Sequence, residues 1–302
     1  MKTLLFGVLY PGLNDGLIID YVRSVIDQKD RDFDWLMIND NAGQDQLHLF
    51  PKNIKWIDLK TPFSFGKIRE AGINYAKEDH YECIIFSDID DYYSPDRVGE
   101  TKLHLKKHDF VFTELQVVNF EKQLTHKDLL HSLKADPAPA TIEAIIDYNY
   151  IGLSHSAVRI SALDEFEISE DIEVVDWWIF SLLLIWGCQG EFMADVDTFY
   201  RQNNENYVGV YNLLDPKRLQ RGIEVKLNHY EGLLKYCQKR KKGTMSDIFN
   251  KKYQEMAKLK ELMKEHSFTE KYISVINSNF NKLYKGWWSE ILPLDQWERY
   301  ER

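Results

Sequence analysis

Through the first two-thirds of the chain, short apolar runs alternate with segments whose apolar residues recur every three or four positions. The first run, Thr3–Leu9, reads as a strand. After the turn-forming Asn14-Asp15-Gly16, residues Leu17, Ile18, Tyr21, Val22, Val25 and Ile26 mark an amphipathic helix. Trp35–Ile38 is a second strand, closed by Asn39-Asp40-Asn41, and Ile54–Leu59 a third. Phe65–Lys77 has helical spacing, with Ile68, Ala71, Gly72, Tyr75 and Ala76 on its inner side. Cys83–Ser87 makes a fourth strand. A helix from Pro95 to Lys107 follows an acidic turn, with Ser94 and Pro95 suited to N-cap and N1. Phe110–Phe120 is a fifth, aromatic-rich strand. Strands alternating with helices predict βαβ units, an α/β fold with a mostly parallel sheet flanked by helices.

Beyond Phe120 the pattern loosens. Tyr150–Ser154 and Ala157–Arg159 read as short strands, and Trp177–Trp186 is apolar on every side, the mark of a buried helix. Glu191–Arg201 returns to strand. From Pro216 to Tyr284 the pattern is helical, and Trp287, Trp288 and Trp297 stand in the tail. Two domains are expected, an α/β domain over residues 1–215 and a helical C-terminal extension over 216–302.

The chemistry concentrates after the fourth strand. Four apolar residues lead into Asp88-Ile89-Asp90-Asp91. In open α/β sheets the ligand crevice lies beyond the carboxyl ends of the strands, where these acids fall. Unit charges about 4 Å apart at an effective dielectric near 20 interact by roughly 4 kcal/mol, so the acids repel one another unless a cation neutralises them. Such hard oxygen ligands suit Mg2+ or Mn2+. An EF-hand loop counted from Asp88 would need Gly and Glu where Tyr93 and Gly99 stand, which excludes that reading.

Composition adds bounds. Hydrophobic residues at 44% permit a full core. The three cysteines, Cys83, Cys188 and Cys237, lack C-x-x-C spacing and fit a reducing cytoplasm better than a disulfide framework or zinc. Met1–Tyr10 reads as a first strand rather than a signal peptide. The longest apolar run, Trp177–Cys188, falls short of the about 20 residues that span a bilayer. The net charge of −10 is unevenly distributed. Residues 1–215 carry 19 Lys+Arg against 37 Asp+Glu, a net −18, and residues 216–302 carry 19 against 11, a net +8. The acidic body argues against nucleic acid as a partner. The basic tail, dense at Lys239-Arg240-Lys241-Lys242, allows two readings. One is peripheral contact with an anionic membrane, aided by the tryptophans. The other is a helical appendage packed on the acidic body or across a homodimer.

From about Thr3 to Gly209 the chain resembles a GT-A-fold glycosyltransferase of the family 2 type. Asp88-Ile89-Asp90-Asp91 matches the family's D-x-D-D, and Ser24-Val25-Ile26-Asp27-Gln28 its S-x-x-x-Q. Pro11-Gly12-Leu13-Asn14 matches P-T-Y-N at its ends. Asn39-Asp40-Asn41-Ala42 stands for D-D-G-S, and Arg69-Glu70-Ala71-Gly72 for R-N-x-G. Tyr200-Arg201-Gln202-Asn203, with Asn206 and Gly209, resembles Y-R-Q-H-x-x-N-x-x-G. The family's base comes from an E-D pair whose Asp lies eleven residues before a Gly. Asp176 and Gly187 have that spacing, with Val175 in place of Glu; Glu170-Asp171 spells the literal pair but lies sixteen residues away.

The resemblance implies transfer, by an inverting route, from a nucleotide-diphosphate sugar to a glycan or lipid-linked hydroxyl acceptor. In bacteria such enzymes often make surface polysaccharide at the cytoplasmic leaflet. Carried over residue by residue, Pro11, Asn14, Asp40, Arg69, Asp88 and Arg201 bind the donor, and Asp90 and Asp91 hold Mn2+ or Mg2+. Asp176 is the base, with Asp171 as second choice; an Asp at the start of a helix is also a common N-cap. Two rivals stand beside this reading. The departures at Asn39, Glu70, Val175 and Asn203 fit a non-catalytic relic that binds nucleotide sugar or glycan. A sugar nucleotidyltransferase is disfavoured, because Pro11–Gly16 carries no basic residue to cradle a triphosphate.

Overall fold

A computed structural model describes residues 1–42, 45–59, 63–133, 140–163, 166–169, 171–202 and 213–301. Asn203, Asn206 and Gly209, expected to follow Arg201 in the donor site, and Glu170 of the literal E-D pair lie outside the described residues. The chain divides into two compact units. One comprises Met1–Ile142, Ile151–Ile168 and Val175–Asn206; the other comprises Glu143–Tyr150, Ser169–Val174 and Tyr207–Arg302.

In the first unit the chain runs β1 (Thr3–Leu9), α1 (Asp15–Ile26), β2 (Asp34–Asn39), β3 (Lys55–Asp58), α2 (Phe65–Glu78), β4 (Cys83–Asp88) and β5 (Tyr92–Tyr93). It continues through α3 (Arg97–His104), β6 (Phe110–Val118), β7 (Leu124–His126), α4 (Leu129–Ser132) and α5 (Ile142–Ile145), the last reaching into the second unit. β8 (Ser156–Arg159), α6 (Val175–Trp186) and β9 (Gly190–Arg201) complete it. The described strands form one sheet in the order β3-β2-β1-β4-β8-β6-β9-β5, with β7 on β6. The α/β expectation holds, and the sheet is mixed. β3, β2, β1 and β4 are parallel, whereas β8, β5 and β7 run antiparallel to their neighbours.

Every residue of β1 is buried, as its unbroken apolar run requires of a central strand covered on both faces. Two family-like positions have plain structural work. A Cβ on Gly72 would lie 2.4 Å from the Phe6 ring, so the glycine lets α2 close on β1. Gln28 is buried; its amide donates to Ser24 O and Ser94 O, and its Oε1 accepts from Val98 N. It thereby ties the end of α1 to the start of α3.

Tyr150–Ser154, expected as a strand, is not one: Asn149 makes an isolated bridge to Trp287, and regular pairing begins only at Ser156. β5 and β7, two and three residues long, are too short to leave a periodic trace.

The second unit is helical: α7 (Pro216–Lys239), α8 (Gly243–Leu262), α9 (His266–Ser278), α10 (Phe280–Leu283) and α11 (Leu294–Glu301). Asp215 caps α7 by accepting from Arg218 N, with Pro216 at its first position. Trp288 and Trp297 are 2% and 3% exposed, and Trp297 stacks on Tyr272 at 5.6 Å. Both are core, whereas Trp287 is half-buried. Lys239–Lys241 stay exposed between α7 and α8. No described helix is long and apolar enough to cross a membrane.

Candidate active site

The carboxyl ends of β1 and β4 lie side by side, with Val8 opposite Asp88, and they set the site. The Asp88–Asp91 turn is fixed from beneath. Tyr93 hydroxyl accepts from Asp88 N at 2.8 Å and donates to Asp88 O at 2.9 Å. Ser87 Oγ donates to Phe6 O and meets Tyr21 hydroxyl. Behind the turn, Arg97 is 1% exposed; its Nη2 donates to Phe86 O and Ser154 O at 2.7 Å, and it lies 4.0 Å over the Tyr93 ring.

The three acids have different neighbours. Asp88 pairs with Arg69 of α2 at 3.1 Å and is 35% exposed. Asp91 is 2% exposed; its Oδ1 accepts from Arg201 N at 2.8 Å and its Oδ2 from Ser154 hydroxyl. Asp90 is half-buried and accepts from Tyr10 hydroxyl. Burial first, then the charge on Asp88, pushes the Asp90 carboxyl up to about 6. Burial and then Asp90 drive Asp91 well above the usual carboxylate range. Tyr10 is raised by burial and by Asp90, Asp88 and Asp91 in turn.

Asp176 joins this group from α6. The helix begins at Val175, so Asp176 sits inside its first turn, and its Oδ1 accepts from Trp177 N at 2.7 Å. Burial pushes its carboxyl up to about 7. The Trp177 N–H opposes the rise, Asp88 adds to it and Arg69 lowers it. The structure thus brings Arg69, Asp88, Asp90, Asp91 and Asp176 into one electrostatic neighbourhood. Asp171 is exposed, in the Ser169–Val174 segment of the second unit.

The remaining donor candidates form the rim. Pro11 is exposed ahead of Gly12, whose φ is +85°, and Asn14 caps α1 by accepting from Gly16 N at 2.7 Å. Asp40 N donates to Leu9 O, placing its half-buried side chain where β1 and β2 end. Asn39 is committed elsewhere, donating to Asp58 Oδ1 and accepting from Ala42 N, each at 3.0 Å. Arg201 is 2% exposed and pairs with Asp20 of α1 at 3.0 Å.

Comparison with known proteins points to a family. A model of glycosyl transferase family 2 matches residues 15–156. Just under half of the chain thus resembles a family 2 glycosyltransferase domain. Its fold is similar to S. aureus TarS 1-349, at TM-score 0.54 and 15% identity over 78% of this chain and 66% of that one. It is also similar to the same protein in complex with UDP-GlcNAc (TM-score 0.53, 14% identity, 76% and 66% covered). A third likeness is to the mannosyltransferase PcManGT from Pyrobaculum calidifontis in complex with GDP-Man and Mn2+ (TM-score 0.53, 12% identity, 78% and 64% covered). The chain thus spans less than two thirds of these relatives, and 40% of the chain in another structure of S. aureus TarS. No curated protein matches the sequence.

The clustered acids can be tested for fit to a divalent ion. Asp90 fits, because its carboxylate is desolvated and repelled by Asp88, and a cation relieves both costs. Asp88 stands beside it. Asp91 has both oxygens engaged inside the protein. Among the described residues no three His, Cys, Asp or Glu side chains form a ready metal cage. An ion that keeps waters and shares its shell with a diphosphate does not need one.

Sequence reasoning did not single out Tyr10, Asp20, Arg97 or Ser154. Tyr10 had one signal, its place directly before Pro11 at the end of β1. Ser154 lies 63 residues from Asp91 and is joined to it only by the fold.

Proposed function

We propose that the chain is a metal-dependent, inverting glycosyltransferase that moves a sugar from a nucleotide-diphosphate donor to a hydroxyl of a glycan or lipid-linked glycan. The observation carrying this is Asp176, a carboxyl pushed up to about 7 beside the Asp88–Arg69 pair. A general base works best when its pKa lies near the working pH.

Arg69 holds Asp88 toward the donor, and Asp40, Pro11 and Asn14 shape the nucleotide rim. Asp90 with Asp88 would hold Mn2+ or Mg2+, which when bound would supply Lewis-acid charge to offset the diphosphate leaving group. Asp91 and Arg201 act from behind. The Arg201 N–H and Ser154 fix Asp91, and the Arg201 guanidinium lowers the cost of ionising Asp90. Asp176 accepts the acceptor's hydroxyl proton as that oxygen bonds to the anomeric carbon, and the bond from that carbon to the diphosphate breaks on the opposite face. If a membrane surface presents the acceptor, Lys239-Arg240-Lys241-Lys242 is the part of the helical unit suited to meet it.

The test is nucleotide release and sugar transfer over a panel of UDP- and GDP-sugars with glycan acceptors. Activity should require Mn2+ or Mg2+, stop in EDTA and be lost in Asp176→Asn. Activity undiminished in EDTA and in that variant would overturn the assignment.

A further inference from the structure

Beyond the Asp88–Asp91 turn, the same unit carries a groove of about 430 Å3 that the catalytic reading does not use. Its floor is a sheet face: Gln116 and Val118 of β6, Phe199 of β9, Tyr92 of β5 and Leu124 of β7. The register explains why these side chains share a face. Gln116 and Tyr92 both stand opposite Phe199, and Val118 stands opposite Leu124. Tyr92 and Phe199 stack at 4.5 Å with planes 3° apart, and Leu124 is 51% exposed.

The walls are polar. Gln116 Nε2 donates to Asp128 Oδ1 at 2.6 Å and to Asp197 Oδ1 at 2.8 Å, so one amide sets both carboxylates. Asp128 is held at φ +48°, a left-handed conformation that Asp tolerates better than most residues. Asp195 is exposed at the rim, Lys122 also lines the groove, and Lys127 pairs with Asp128 at 3.6 Å. Lys122 is already paired with Asp20.

This chemistry selects among ligands. Three carboxylates against two ammonium groups, Lys122 committed to Asp20 and Lys127 to Asp128, disfavour phosphate-bearing or other anionic chains. An apolar ligand would strand the acids. An aromatic and aliphatic floor edged by acceptors and donors suits a polyhydroxyl ring, whose C–H groups pack on apolar surface and whose hydroxyls bond at the edge. The groove also leads toward the site. Arg201 is two residues beyond Phe199 on β9, roughly 7 Å at about 3.3 Å per residue, and its N–H holds Asp91.

We propose that this groove is an accessory binding site for a neutral glycan, holding a stretch of the acceptor chain away from the reacting hydroxyl. The proposal rests on the glycosyltransferase reading for the acceptor's identity, but binding can be measured without turnover. The probe is a printed array of neutral and acidic oligosaccharides, read with the wild-type chain, Asp90→Ala, Asp195→Ala and Phe199→Ala. The wild type should bind neutral glycans in preference to acidic ones, and Asp90→Ala should bind equally well. Phe199→Ala should bind about tenfold more weakly, the upper range for one aromatic contact. Asp195→Ala changes an exposed residue, so it tests the groove even if Phe199→Ala fails to fold; it should weaken binding several-fold. Absence of neutral-glycan binding, a preference for acidic glycans, or binding lost in Asp90→Ala but kept in both groove variants overturns the proposal. Loss of transfer in the separate activity assay would instead count against the catalytic reading.

Discussion

Two regions of this molecule bury charged groups, and they do so with opposite electrostatic outcomes. In the helical unit, Asp147 faces Lys252 at 2.7 Å, and Glu290, fully buried, faces Arg218 at 2.8 Å. Burial alone would raise the Asp147 carboxyl, but Lys226 and Lys252 outweigh it and hold it below the usual range. At the Asp88–Asp91 turn the nearest charges on Asp90 and Asp91 are other carboxylates, and both are driven up. In the first arrangement each acid faces a cation. The second is in deficit, and a deficit of positive charge in a crevice is a capacity to bind a cation or accept a proton. Acid content alone does not separate the two regions; the identity of each acid's nearest partner does.

The comparison can be broken by substitution. The largest effect expected is in Asp176→Asn, where the amide keeps the shape but cannot take a proton: transfer should fall about 10³-fold with donor affinity retained. In the wild type, kcat/KM should fall as pH drops through about 7, where Asp176 gains its proton. Next, Asp147→Ala leaves Lys226, 1% exposed, without its main counter-charge and should cost about 3 kcal/mol in denaturant unfolding. Its turnover at permissive temperature should match wild type, because the helical network is architectural. Asp91 separates ligand from support. Asn can accept from Arg201 N and donate to Ser154, so Asp91→Asn should keep Mn2+-dependent nucleotide affinity within about twofold. Asp91→Ala should lose about 2 kcal/mol of stability by leaving buried donors unpaired. A large loss of Mn2+ dependence in Asp91→Asn would return that residue to the metal shell.

A further effect concerns stability at Asp176. Its folded pKa of about 7 lies above the ordinary 3.8. Below 3.8 the carboxyl is protonated in both states and costs nothing. As pH rises from there to 7 the unfolded chain ionises first, so the wild type loses stability. Asp176→Asn should therefore melt with the wild type at pH 4 and above it at pH 8, by about 1 kcal/mol or more.

The central strands and flanking helices were legible in sequence because each carries several turns or pleats of apolar periodicity. Thr3–Leu9 and Phe65–Lys77 needed little correction. β5 and β7 were not legible, being only two and three residues long. The Asp88–Asp91 cluster and Asp176 stood out by motif and spacing. The difference between Asp90 and Asp91 did not, because it depends on Ser154 and Arg201, 63 and 110 residues from Asp91. Composition left the tail tryptophans open between interface and core; Trp288 and Trp297 are core, since Tyr272, Phe268 and Gly222 give Trp297 and Trp288 close-packed neighbours.

The most direct measurement is the melting temperature with UDP or GDP, with and without Mn2+, for wild type, Asp90→Asn, Asp91→Asn and Asp147→Ala. Ligand at a hundred times its dissociation constant adds about 2.7 kcal/mol, a shift of a few degrees for a chain of this size. The account predicts an Mn2+-dependent rise in the wild type that persists in Asp91→Asn and Asp147→Ala and disappears in Asp90→Asn. An Mn2+-dependent rise intact in Asp90→Asn, or lost in Asp147→Ala, would contradict it.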